Sequence, residues 1–141
     1  MYVKSKDYYL FFDRDLVIRE TAAAERKGLS RFGAYCRSVA RNSIKNATEK
    51  KKVSKPGEPP LGHTGLLKRF IYFGWDGFNR TVVIGPMKLY DGEGNVPELL
   101  EYGGYGDKRF GSEGYYRARP YMRPALKKSI PYTESFFKDL F

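Results

Sequence analysis

The chain carries one histidine, His63, and one cysteine, Cys36, and these two residues bound its chemistry. Hydrolytic sites pair a nucleophile with a positioned base. His63 follows a Pro/Gly-rich stretch, where a histidine reads as an exposed or capping side chain rather than a base. Cys36 falls on an apolar-to-small stripe, with the adjacent Arg37 mostly off it, so it reads as a small buried hydrophobe. One cysteine permits no intrachain disulfide, and the single histidine has no zinc-ligand spacing around it. Glu98 and Glu101 lie three apart on a short predicted helix, and read as its solvated face. Gly103-Gly104-Tyr105-Gly106 precedes no Gly-Lys-Ser/Thr and follows no βα unit, so it is not a phosphate loop. The expectation is a protein with no catalytic residue, no cofactor and no metal. The enzymatic alternative is a small RNA-cleaving toxin working through Arg, Lys and Tyr.

Charge is the stronger signal. The net charge is +10 over 141 residues. Residues 28–63 hold eight basic and two acidic groups, a net of +6, while the flanking segments are nearly balanced. Such a segment suits DNA phosphate or an acidic partner, and equally a solvated face that keeps the chain soluble. There is no zinc-finger spacing, no ribonucleoprotein signature and no helix-turn-helix, so any nucleic-acid contact would be sequence-independent. A cellular module of that kind is a further alternative. No run of 18 apolar residues predicts a membrane helix. The start Met1–Asp7 does not read as a signal peptide, and synthesis in a reducing cytoplasm is expected.

The elements that must position these residues are predicted as follows. Tyr8–Phe12 is a strand or arm, and Asp13 or Asp15 caps a helix that begins near Leu16. Leu29, Phe32, Cys36, Val39, Ala40, Ser43 and Ala47 recur at three-to-four spacing, which predicts helix from about Leu16 to Thr48. Gly28 and Gly33 weaken it, and it is one bent helix or two broken near Gly28. Residues 50–63, rich in Lys and Pro, form a projecting loop. Leu66–Phe73 and Thr81–Ile84 form a hairpin around the turn Asp76–Asn79. Pro97–Tyr102 is a short helix with Pro97 at its first position. Tyr115–Arg119 is a short strand, Pro124 opens a helix that Pro131 stops, and a last helix starts at Thr133. The fold class is α+β. A long N-terminal helical segment packs on a small antiparallel sheet, with a short C-terminal helix. Length predicts a single domain over 1–141, with an arm at 1–15 and a tail at 129–141.

Several ordered pieces of sequence carry a family resemblance. They are the N-terminal helical segment ending in Ser43-Ile44-Lys45, then Pro56-Gly57-Glu58-Pro59-Pro60, then His63-Thr64-Gly65-Leu66-Leu67-Lys68-Arg69, then Val83-Ile84-Gly85, then Leu100-Glu101-Tyr102-Gly103. The last and strongest is Arg117-Ala118-Arg119-Pro120-Tyr121-Met122-Arg123-Pro124-Ala125-Leu126. Over roughly residues 28–128 the chain resembles the small neck, or tail-completion, proteins of tailed bacteriophages. That resemblance implies a non-enzymatic virion protein at the head–tail junction, a ring subunit of six or twelve copies. It would contact a head connector or adaptor on one side and a tail tube or terminator on the other. Double-stranded genomic DNA would pass through without sequence reading. A tail terminator position in the same machine is the alternative.

Within that reading, Lys50, Lys51, Lys52, Lys55, Pro59 and Pro60 are the expected docking device, since prolines lower the entropy lost when a loop docks. Arg119 and Arg123 are multi-donor groups for a neighbour's carboxylates or carbonyls, against the alternative of a plain strand-to-helix corner with solvated arginines. Phe136, Phe137 and Phe141 are expected to be ordered by neighbouring subunits. Arg37, Arg41 and Lys45 recur four apart along one side of the long helix, facing either the DNA channel or solvent.

Overall fold

In a computed structural model of the chain, residues 2–5, 8–50, 52–87, 90–91, 94–106 and 114–140 are described. A short antiparallel pair, β1 (Tyr2–Ser5) and β2 (Tyr8–Phe11), opens the chain. One unbroken helix, α1 (Arg14–Ser43), follows. Asp13 caps it, accepting the N–H of Leu16 on its side chain at 3.1 Å. Asp15 in the first turn and Arg41 in the last complement the helix dipole. Arg14 and Asp15 therefore belong to the helix rather than to the arm.

The glycines expected to weaken α1 do not break it. Both are buried, and each clears space for a neighbour. A Cβ on Gly33 would stand 2.7 Å from Val82 Cγ2, and one on Gly28 would meet the ring of Phe137. The lost helix propensity is exchanged for close approach of the hairpin and of the C-terminal segment. α1 ends at Ser43, whose Oγ donates to the carbonyl of Ala40 at 2.7 Å, and Ile44 is extended and fully buried. The predicted helix ran five residues further, so Ala47 and Lys45 lie beyond its end.

Leu66–Arg69, expected as strand, is a single helical turn, α2, entered through Gly65 at φ 74°. The hairpin then forms from β3 (Ile71–Asp76) and β4 (Thr81–Pro86), with Tyr72 opposite Gly85 and Gly74 opposite Val83. Asp76 builds its turn, accepting the N–H groups of Phe78 at 3.0 Å and Asn79 at 3.3 Å and the Asn79 side-chain amide. Those bonds, the Asn79 amide foremost, hold its carboxyl below the usual range.

β5 (Tyr90–Asp91) pairs with β6 (Gly94–Asn95), α3 spans Val96–Tyr102, and β7 (Gly104–Tyr105) pairs with β8 (Tyr115–Tyr116). α4 (Met122–Ser129) runs through a 3₁₀ turn at Ile130–Tyr132 into α5 (Thr133–Phe137). Pro131 thus redirects the helical path where a stop was expected. The fold is α+β. Among the described residues its strands make four separate two-stranded pairs, not one small sheet.

α1 is the spine against which β3, β4, α4 and α5 pack. The core joins Cys36, Ala40 and Ile44 of the α1 region to Ile71, Tyr121 and Ala125, with Leu67, Ile84 and Leu100 around them. Burial pushes the Cys36 thiol up, and the hydrogen bond with Ser129 only partly offsets this. The expectation of an inert core cysteine fits that position.

Candidate functional site

Two basic surfaces come from the +6 segment, and their chemistry differs. The first lies along the flank of α1. Ala34, Arg37, Ser38, Arg41 and Asn42 recur at three-to-four spacing beside the buried stripe, and Lys68 of α2 completes an open pocket of about 210 Å³. Arg37 fixes its geometry. Its Nε–H donates to the carbonyl of Ile71 at 2.8 Å, which ties α1 to the first residue of β3 and brings α2 alongside. Arg37, Arg41 and Lys68 are half-buried, while Ser38 and Asn42 are exposed. None of the lining residues is acidic. Lys45, expected on the same stripe, is not part of this pocket, because the chain leaves helical geometry at Ile44. Lys68 was missed in the sequence, where Leu66–Phe73 read as continuous strand.

The second surface belongs to the loop after α1. A groove of about 420 Å³ is lined by Lys45, Lys52 and Lys55 together with Val53, Pro59 and Leu61, and Ser43, Ser54 and Glu58 complete it. Lys50, Lys52 and Lys55 are exposed, and Lys51 lies outside the described residues. The loop does not project freely. Gly62 donates to Lys45 O at 2.8 Å, Ala47 to Gly62 O at 3.0 Å and Gly57 to Ala118 O at 2.9 Å. Pro60 is buried and Pro59 half-buried, so Pro60 anchors the loop to its own chain and offers no docking surface.

Arg119 is also committed inside the chain. Its Nε–H donates to Ser54 O at 3.1 Å and its backbone N–H to Leu100 O at 2.7 Å. The carbonyl partner anticipated on a neighbour is supplied by the chain's own loop. Arg123 is exposed and lies over the ring of Tyr102, 5.6 Å from its centroid. Phe136 packs edge-on to Phe32 and tilted against Tyr35, and Phe137 seats on Gly28. These two rings dock on their own α1, and the glycine is the reason one of them fits. Phe141 lies outside the described residues.

Glu101, expected to face solvent, instead accepts three backbone N–H groups at the start of α4. They are those of Tyr121 at 2.9 Å, Met122 at 3.0 Å and Arg123 at 2.8 Å. Nothing local in the sequence marks this cap, because its donors lie twenty residues further on.

The outer face of the β3–β4 hairpin is apolar and open. Tyr72, Val83 and Met87 are exposed on it, Val83 at 62% and the turn residue Phe78 at 95%. Gly74 and Gly85 stand beside them with nothing above. Among the described residues neither hairpin edge is paired.

His63 is exposed and no group of three His, Cys, Asp or Glu residues among the described residues could hold a metal. No described helix is long and apolar enough to cross a membrane. No family model, no curated protein and no solved structure matches the chain.

Proposed function

We propose that this chain is a non-enzymatic structural subunit of the neck of a tailed bacteriophage. In this reading it is made in the host cytoplasm and forms a ring at the head–tail junction, between head connector and tail, around the DNA channel. One observation supports it above the rest. The sequence pieces that carry the resemblance are scattered over more than eighty positions, and they meet. Glu101 caps the helix that Tyr121 opens, and Arg119 bonds both Leu100 and the loop before Pro56. Leu67 and Tyr121 enter one core. These contacts make the pieces one structural unit, which is the unit the resemblance concerns.

The surfaces have assignments in this reading. The bare hairpin face, with Tyr72 and Val83 raised beside Gly74 and Gly85, is where a neighbouring copy packs. The lysine groove, which has apolar as well as basic lining, receives an acidic rim of the adaptor.

The test is removal of this chain from a phage that encodes it. Filled heads and separate tails should accumulate, and purified chain should restore joined, infectious particles. Purified Val83→Glu, folded by circular dichroism because its side chain points outward, should fail to restore them. Joined particles formed without the chain, or its absence from purified virions by mass spectrometry, would refute the reading.

A further inference from the structure

We propose that Arg37, Arg41 and Lys68 form a binding site for the phosphate backbone of double-stranded DNA, oriented by Ser38 and Asn42. The inference deepens the neck reading and rests on it only for the source of the duplex. The pocket's own chemistry comes from its lining.

Three cations converge from two elements, and Arg37 is held by its bond to Ile71 O. Arg41 follows Arg37 by one helical turn, so the two like charges repel. Among the described residues no carboxylate pairs with either of them or with Lys68. An anion in the pocket would relieve that repulsion. Ser38 and Asn42 add neutral donors at its rim, as phosphate oxygens require. The pocket, about 210 Å³ and open to solvent, has room for a phosphate group.

The lining also selects the kind of anion. Ala34 is its one apolar residue, whereas the lysine groove has Val53, Pro59 and Leu61. A protein segment brings apolar side chains that need burial, and a DNA backbone does not. Single strands are held by aromatic platforms on which bases stack, and no aromatic residue lines this pocket. What the lining fits is a duplex backbone, bound without base reading.

The experiment measures binding of the full chain to a short fluorescent duplex of arbitrary sequence by anisotropy, across salt from about 50 to about 200 mM. Arg41→Ala with Lys68→Ala removes two of the three cations and leaves the Arg37–Ile71 bond alone. Binding should weaken about tenfold or more, and the log–log salt slope should fall by about 0.9 for each phosphate that the variant no longer neutralises. The charge-matched control Lys52→Ala with Lys55→Ala should bind like the parent, and Arg41→Lys with Lys68→Arg should retain binding. An equal loss in the control would mean a diffuse positive field and no site. Absence of duplex binding by the parent chain would overturn the proposal directly. Inorganic phosphate should displace the duplex no better than chloride of equal ionic strength; stronger displacement would make free phosphate the ligand. If the Arg41/Lys68 variant binds duplex normally yet cannot join tails, an acidic protein is the ligand and the proposal fails. A chain that binds duplex as expected but is absent from virions would retire the neck reading and leave the site.

Discussion

The carboxylate of Glu101 accepts the backbone N–H of Tyr121 at 2.9 Å and thereby joins the end of α3 to the start of α4. Two more amides, those of Met122 and Arg123, converge on the same carboxylate. One side chain satisfies all three N–H groups that this helix start leaves without partners, because Pro124 at the fourth such position carries none. Tyr121 is fully buried in the core at that point, so the cap also sets the depth of the ring.

Glu101→Ala should therefore cost more than an ordinary exposed cap. A cap is worth about 1 kcal/mol, and hydrogen bonds to a charged group about 1.5–3 kcal/mol. A loss of about 2–3 kcal/mol is expected from denaturant midpoints at unchanged m. Glu101→Gln keeps one acceptor oxygen and should fall between Ala and the parent. A loss under about 0.5 kcal/mol for the Ala variant would mean that other groups satisfy those amides.

Tyr121 carries a second consequence. Its hydroxyl is buried and has no hydrogen-bond partner among the described residues. Burial, and secondarily the Glu101 charge, raise its pKa well above the ordinary tyrosine value. The unfolded chain ionises this phenol near pH 10 while the folded chain does not. Above that pH the unfolded state binds fewer protons, so stability falls as pH rises. Tyr121→Phe should remove this part of the alkaline loss and, by deleting an unsatisfied hydroxyl, should be neutral or stabilising by about 1 kcal/mol at pH 7. Thermal melts at pH 7 and near pH 10.5 would measure both, and a clear destabilisation at pH 7 would show that the hydroxyl has a partner in solution.

The two buried glycines of α1 separate helix propensity from packing. Alanine at either position gains up to about 1 kcal/mol of propensity. At Gly33 the new methyl would meet Val82 Cγ2 at 2.7 Å and Phe73 Cδ2 at 2.9 Å, so one of the two side chains must shift. Overpacking of this kind costs about 1–3 kcal/mol, so Gly33→Ala should be a net loss of about 1 kcal/mol. At Gly28 the obstacle is the Phe137 ring on the C-terminal segment. Gly28→Ala should release that segment to limited proteolysis with little change in the global midpoint. Adding Phe137→Ala should remove the penalty and leave the propensity gain. Additive losses in the double variant would contradict the notch.

These glycines mark where the sequence stopped being readable. Local signals were sufficient for a cap at Asp13 or Asp15, for the Asp76 turn and for the helix from Thr133, because each is decided within about four residues. The hairpin was legible as a pairing, though its first strand was placed too early. The features set by distant partners were not legible. A glycine in a helix reads as a weak point unless the ring that fills its notch, here Phe137, is known to arrive there. Glu101 reads as a surface carboxylate because its three donors lie twenty to twenty-two residues on. Lys68 was misplaced because Leu66–Phe73 is uniformly apolar-to-basic, and only Gly65 at φ 74° turns its first half into a helical turn. Arg37 and Arg41 were found by their spacing, whereas Lys45 was over-read, since the helix ends at Ser43.

The lysine groove and the arginine pocket should fail in different ways, and this contrast is the most discriminating expectation. Lys52 and Lys55 line a groove that also holds Val53, Pro59 and Leu61, and the loop is tied down at Gly57 and Gly62. A tethered basic rim around apolar surface suits capture of an acidic protein edge, where charge sets the rate of encounter. Lys52→Glu with Lys55→Glu should reduce joined particles about tenfold or more at moderate salt, and the defect should deepen as like charges repel at low salt. Heads should be filled and should keep their DNA. If these variants instead yield joined particles that leak their genome, the groove grips DNA rather than the adaptor. Normal joining and normal retention would reduce the lysines to a solvated face, leaving Arg41 and Lys68 as the charges with a role.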